Sequence, residues 1–164
     1  MNFRYLQLLF PVLVGLHNAE EAILLPRWKL RFGNWFGGDH QGAFRFAVTV
    51  YTALAFVVTL LSAVRGSRTF WADVTFGYMI AVLVNAVFPH IAVSIAKRTL
   101  MPGVITAAAL NLPILTFLAV LAIRQGYVAP RDAVVFSIAV GLLLLLLIPL
   151  LLKLGNLLGF RGRA

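Results

Sequence analysis

The sequence predicts an all-α membrane protein, a polytopic bundle of about five transmembrane helices. Of its 164 residues, 62% are hydrophobic and only 12% are charged, whereas about a quarter are charged in an ordinary soluble domain. The apolar residues also gather into five long runs, and a helix needs about 20 such residues to cross the bilayer core. Both observations argue against a soluble globular protein.

The first two predicted helices span residues 5–25 and 46–64. The first ends at a proline and the second ends before the polar segment Arg65–Arg68, because proline, glycine and charge interrupt apolar helices. Residues 26–45 are predicted to form an interfacial loop, since basic and aromatic side chains alternate from Arg27 to Phe32, as they do at membrane surfaces. We therefore expect the basic residues behind the net charge of +9 to contact lipid headgroups. No nucleic-acid partner is expected.

The other three predicted helices span residues 70–96, 104–123 and 133–152, so that residues 1–164 form a single transmembrane domain. Two basic residues and a Pro-Gly pair separate the third helix from the fourth, and Pro-Arg-Asp precedes the fifth. Five helices place the termini on opposite faces, with five basic residues on the N-terminal face and nine on the other. This asymmetry predicts a bacterial inner-membrane protein with its N-terminus outside and its C-terminus in the cytoplasm.

Polar residues inside the apolar runs are the candidates for a functional site. The chain has no cysteine, which excludes disulfides, thiol catalysis and cysteine-ligated metals. Its only two glutamates both lie in the first helix, as His17-Asn18-Ala19-Glu20-Glu21. Each ionisable group near the bilayer centre costs about 2.5 to 3.5 kcal/mol on insertion scales, so such groups face one another or a ligand. Glu20 and Glu21 follow His17 by three and four residues and project from the same helix face.

Other helices bring polar residues to a matching depth. Asn85 and His90 lie on the third helix, which runs parallel to the first, and Asn111 lies near the start of the fourth. At 1.5 Å per residue, His17 and His90 both lie roughly 10 to 13 Å from the same surface. We therefore expect the His17–Glu21 motif, His90 and Asn111 to share one depth, in the cytoplasmic leaflet.

His17-x-x-Glu20-Glu21, then Asn85 and His90, then a Pro-Gly turn before another helix, resemble the HXXEE family of small multi-helix membrane proteins. The resemblance covers roughly residues 10–115 and indicates where the site lies, but it implies no reaction. The motif is also similar to the H-x-x-E-H pattern of inverted zincins, with glutamate replacing the last histidine. That similarity implies His17 and Glu21 as metal ligands and Glu20 as the general base or a further ligand.

With His90 added, these ligands make a His2Glu set with an open fourth position, as in hydrolytic zinc enzymes. We therefore predict an intramembrane metal-dependent hydrolase for a lipid-like or amphipathic substrate. The expected cofactor is a divalent metal, zinc first, with iron and manganese as alternatives. Asn85 and Asn111 are predicted to orient ligands or to stabilise an oxyanion.

Three alternatives use the same residues. A metal-free intramembrane hydrolase or protease, similar to the CAAX type, would use Glu20 or Glu21 as the base and His90 with Asn111 as oxyanion groups. A small transporter would couple the carboxylates to a proton or cation. A structural Glu–His cluster would only join helices. The expected partners are membrane lipids and the substrate, and a homo-oligomer is left open.

Overall fold

The computed structural model describes residues 2–32 and 41–160, with the backbone alone for residues 26–32. Five segments of this part of the chain are long and apolar enough to cross a membrane, and we call them spans 1 to 5. This confirms the predicted polytopic helix bundle. In order, the spans are Phe3–Leu25, Gln41–Arg65, Phe70–Ala96, Val104–Arg124 and Pro130–Leu157.

Eight α-helices build the spans. They are α1 (Phe3–Leu6), α2 (Leu9–Phe32), α3 (Gln41–Arg65), α4 (Phe70–Asn85), α5 (Ala92–Ala96), α6 (Val104–Thr106), α7 (Leu112–Arg124) and α8 (Pro130–Leu157). Residues 26–45, expected as an interfacial loop, thus include the last turns of α2 and the first of α3. Residues 33–40 and the side chains from Arg27 to Phe32 lie outside the described part.

Spans 3 and 4 are interrupted helices. In span 3, residues Ala86–Ile91 form a π-helical segment, and Phe88 within it has a non-helical backbone (φ −130°, ψ 119°). The cause is Pro89, since proline disfavours the helical conformation of the residue before it. In span 4, residues Ala107–Asn111 form a second π-helical segment. The two segments pack against each other, and such irregular turns are frequent at functional sites.

The main hydrophobic core lies between the spans, in the half of the bundle that contains the N-terminus. Its largest buried side chains include Phe3, Phe10 and Met79. The rings of Phe10 and Tyr78 meet edge to face with centroids 5.4 Å apart. Span 5 contributes less to this core, and most of its leucines from Leu142 to Leu150 are exposed, as is expected of a surface that faces lipid.

Close packing of α4 on α8 depends on Gly77. A Cβ atom at this position would overlap the carbonyl oxygen of Phe136 and lie 2.8 Å from its carbonyl carbon. We expect Gly77→Ala to destabilise the protein by about 1–3 kcal/mol through overpacking. Gly141→Ala on α8 is the matched control, because no atom lies within 4 Å of its added methyl group. Thermal unfolding in detergent checks this, and equal midpoints for the two variants would contradict the packing.

Candidate metal centre

Three side chains from two spans converge at one point inside the bundle. His17 and Glu21 lie one turn apart on α2, and His90 lies on the π-helical segment of span 3. One ligand atom from each residue lies within 4.8 Å of those from the other two. The Nε2 atom of His90 is 3.4 Å from Oε1 of Glu21, and the two imidazole rings are 4.6 Å apart and perpendicular. The structure therefore brings His17 and Glu21 of the motif together with His90.

Both histidine rings are oriented through their Nδ1 atoms. Nδ1 of His90 lies 2.8 Å from the carbonyl oxygen of Pro102, which can only accept, so this nitrogen carries a proton. Nδ1 of His17 lies 3.0 Å from the Thr106 hydroxyl oxygen. That hydroxyl donates to the carbonyl oxygen of Gly103, at 3.2 Å, so it accepts from His17. In the neutral rings, both Nε2 atoms are then lone-pair acceptors.

The two Nε2 atoms face the side-chain amide of Asn85. Its Nδ2 atom lies 3.0 Å from Nε2 of His90 and 3.5 Å from Nε2 of His17. Together with the Glu21 carboxylate, the site thus contains three acceptors around one amide donor. Two imidazole nitrogens and a carboxylate are also a set of ligands that could hold a divalent cation such as zinc.

Glu20, in contrast, faces the backbone at the start of span 4. Its Oε1 atom accepts from the N–H groups of Gly103, at 3.1 Å, and Ile105, at 3.2 Å. Its Oε2 atom accepts from the Thr106 N–H at 2.8 Å. These are donors that the first turn of a helix leaves without intrahelical partners. The structure thus separates the two glutamates, with Glu21 at the histidines and Glu20 at the turn.

The turn at Gly103 enters the cluster so closely that no side chain fits there. Its backbone is left-handed (φ +85°), and a Cβ atom would lie 2.8 Å from Cε1 of His17. The same Cβ atom would lie 2.9 Å from both Cγ of Glu21 and Cε1 of His90. The Pro-Gly pair was visible in the sequence only as a turn, and neither Gly103 nor Thr106 was predicted to belong to the site.

Asn111 does not join this cluster. It is fully buried, and its amide has no hydrogen-bond partner among the described residues. It follows Gly103 by eight residues, or about 12 Å along a helix. The Met101–Gly103 connection before this segment is buried in the bundle, and the common depth of Asn111 with His17 and His90 stays a prediction.

Gly103→Ala tests the packing of the site. An alanine here is strained by its left-handed backbone, and its methyl group also clashes with three site residues. We expect the clash to lower the free energy of unfolding by about 1–3 kcal/mol more than the strain alone. Gly66→Ala is the matched control, because Gly66 has φ +88° and nothing within 4 Å of an added Cβ atom. Thermal unfolding measures both variants, and equal losses would refute the close contact.

Comparisons with known proteins agree with these residues. A family described as "Protein of unknown function with HXXEE motif" matches residues 8–118. The chain is also 28% identical over 152 residues to "Uncharacterized protein YrkK" of Bacillus subtilis (strain 168), which covers 93% of this chain and 96% of that protein. No solved structure matches the chain. Since the family match covers most of the chain and includes the motif, Asn85, His90 and the Gly103 turn, the chain belongs to the HXXEE-motif family.

Proposed function

We propose that the protein is an intramembrane metal-dependent enzyme of the hydrolase type, in which His17, Glu21 and His90 bind one divalent cation. The observation that carries this proposal is the convergence of three ligand atoms within 4.8 Å, with both histidines held through Nδ1. Metal-binding histidines commonly donate their other ring N–H to a protein oxygen in this way. The metal is zinc in our proposal, and iron and manganese are the alternatives.

The geometry of the side chains suits a tetrahedral ion. Ligand atoms bound to zinc at about 2.0–2.1 Å lie roughly 3.3–3.4 Å from one another. Nε2 of His90 and Oε1 of Glu21 have this spacing already, at 3.4 Å. The His17 ligand atom lies within 4.8 Å of the other two and would have to move closer to them to bind the same ion. A His2Glu set leaves a fourth position open for water or substrate, and zinc there supplies a Lewis acid and an activated water.

The neighbouring residues receive different roles in this proposal. The Asn85 amide lies beside both Nε2 atoms and is placed to orient the water or to hold a developing oxyanion. Glu20 is a positioning residue, because its carboxylate is engaged by three backbone N–H groups. Glu21 is then the carboxylate that binds the ion in our proposal, and its negative charge offsets part of the charge of the cation. Asn111, distant along the helix, is given no direct part.

The surroundings of the cluster favour a lipid-like substrate. His17 and His90 are buried, while the Glu21 side chain keeps 18% of its surface exposed. Val87 and Phe88, just before His90, are exposed apolar residues of a membrane span. A substrate therefore reaches the site most directly from the bilayer. We further propose the plasma membrane of a bacterium as the location, with the N-terminus outside and the C-terminus in the cytoplasm.

Metal binding is the first test. We expect protein purified without chelator, then loaded with zinc and desalted, to retain about one equivalent by elemental analysis, as the three-ligand set found among the described residues requires. Glu21→Gln and His90→Gln are expected to retain less than about 0.1 equivalent, since a lost ligand removes most of the affinity. Glu20→Gln is the matched control, expected to keep the metal but to unfold at a lower temperature. Loss of metal from Glu20→Gln, with Glu21→Gln unaffected, would reverse our assignment.

Hydrolysis is the second test. In proteoliposomes with zinc, we expect the protein to cleave an amphipathic ester, assayed over a panel of fluorogenic short-chain lipids. Glu21→Gln is expected to lower the rate at least about 100-fold, and Asn85→Ala about 100- to 1,000-fold, because the loss of one oxyanion donor costs that much. Chelation should abolish the activity and zinc should restore it.

Two outcomes would contradict the metal-dependent hydrolase and favour one of the alternatives. Cleavage that depends on Glu21 but survives chelation would indicate a metal-free hydrolase. A proton or cation flux that Glu21→Gln abolishes, without hydrolysis of any ester, would indicate a transporter.

A further inference from the structure

A second polar site lies at the other end of the bundle. A cavity of about 710 Å³ opens among the start of span 1, the turn after span 2 and the connection before span 5, and its lining includes Arg4, Arg65, Ser67 and Tyr127. Arg4 precedes His17 by 13 residues, or about 20 Å along the helices. The cavity is therefore separate from the candidate metal centre and independent of the proposed hydrolase.

Positive charge dominates this cavity. Two arginines line it, and its lining contains no carboxylate. Arg4 donates through Nε to the carbonyl oxygen of Ala63, at 2.6 Å, and through Nη2 to that of Val64, at 3.3 Å. This holds its guanidinium at the end of α3 and leaves three of its five N–H bonds for a ligand. Arg65 has no hydrogen-bond or ion-pair partner in the described part of the chain.

Tyr127, one of the residues that line the cavity, takes part in a network of buried hydrogen bonds. The Tyr127 hydroxyl donates to the carbonyl oxygen of Ser62, at 2.8 Å, and accepts from Nε2 of Gln7, at 3.0 Å. The Ser62 hydroxyl donates to Oε1 of Gln7 at 2.8 Å. All three side chains are buried and none carries a charge, but of the three only Tyr127 lines the cavity. The groups left for a ligand are mainly donors, namely the two guanidinium groups and the Ser67 hydroxyl.

The position along the spans indicates what the ligand is. Span 1 begins at Phe3 and span 2 ends at Arg65, so the cavity lies where the apolar spans meet the water, at the level of lipid headgroups. Guanidinium groups bind phosphate oxygens in a bidentate manner. We propose that the cavity binds a phosphate group, carried by a phospholipid headgroup or by a soluble phosphate, between Arg4 and Arg65.

Calorimetric titration of the full chain in a neutral detergent tests the site. The probes are dioctanoyl phosphatidylglycerol, dioctanoylglycerol as the same lipid without phosphate, and inorganic phosphate alone. We expect phosphatidylglycerol to bind at least about tenfold more tightly than dioctanoylglycerol, since charge-assisted hydrogen bonds supply the difference. Arg65→Gln is expected to weaken this binding about tenfold. The variant should fold, because Arg65 has no partner to lose.

Arg131→Gln is the matched control, because it removes an exposed positive charge from the same end of the bundle without touching the cavity lining. Its affinity is expected to stay within twofold of the unmodified protein. If phosphatidylglycerol binds and inorganic phosphate does not, the ligand is a lipid headgroup. If inorganic phosphate also binds, and this binding depends on Arg65, the ligand is a free anion. Equal binding of dioctanoylglycerol, or equal affinities of Arg65→Gln and Arg131→Gln, would overturn the proposal.

Discussion

The hydrogen bonds from the Glu20 carboxylate to the turn at Gly103 are the interaction on which the candidate site depends. A helix that begins inside an apolar bundle exposes backbone N–H groups that water cannot satisfy, at a cost of several kcal/mol. Glu20 satisfies three of them. Through that one carboxylate, span 1 fixes where span 4 begins. The same turn supplies the Pro102 oxygen to His90 and, through Thr106, the acceptor for His17.

This arrangement explains why the motif contains two adjacent glutamates. Neighbouring residues on a helix point about 100° apart. The side chains of Glu20 and Glu21 therefore contact different neighbours from the same turn of α2. Glu21 follows His17 by four residues and reaches the same cluster, while Glu20 reaches the backbone of span 4. A histidine followed after two residues by paired glutamates therefore places one carboxylate beside the histidine cluster and the other at the backbone of the Gly103 turn.

The sequence predicted the five spans because a bilayer leaves few other solutions for apolar runs of that length. It also predicted that His17, Glu21 and His90 meet, since parallel helices place equal residue counts at equal depth. For Asn111 the common depth stays a prediction, because the residue count assumes that connections between helices lie at the membrane surface, whereas Met101–Gly103 is buried. The different contacts of Glu20 and Glu21 were not predictable either, because they depend on which part of the bundle packs against each side chain.

Polar groups in this small bundle are concentrated at its two ends. The histidine cluster is built from spans 1, 3 and 4, and the basic cavity from the ends of spans 1 and 2 with the connection before span 5. Between them lies the apolar core around Phe10, Tyr78 and Met79. Arg4 and His17 are separated by about 20 Å along the helices, and substitutions that far apart without a shared partner usually have additive effects. The two ends are therefore expected to act as separate sites on one rigid scaffold, each open to the membrane at its own surface.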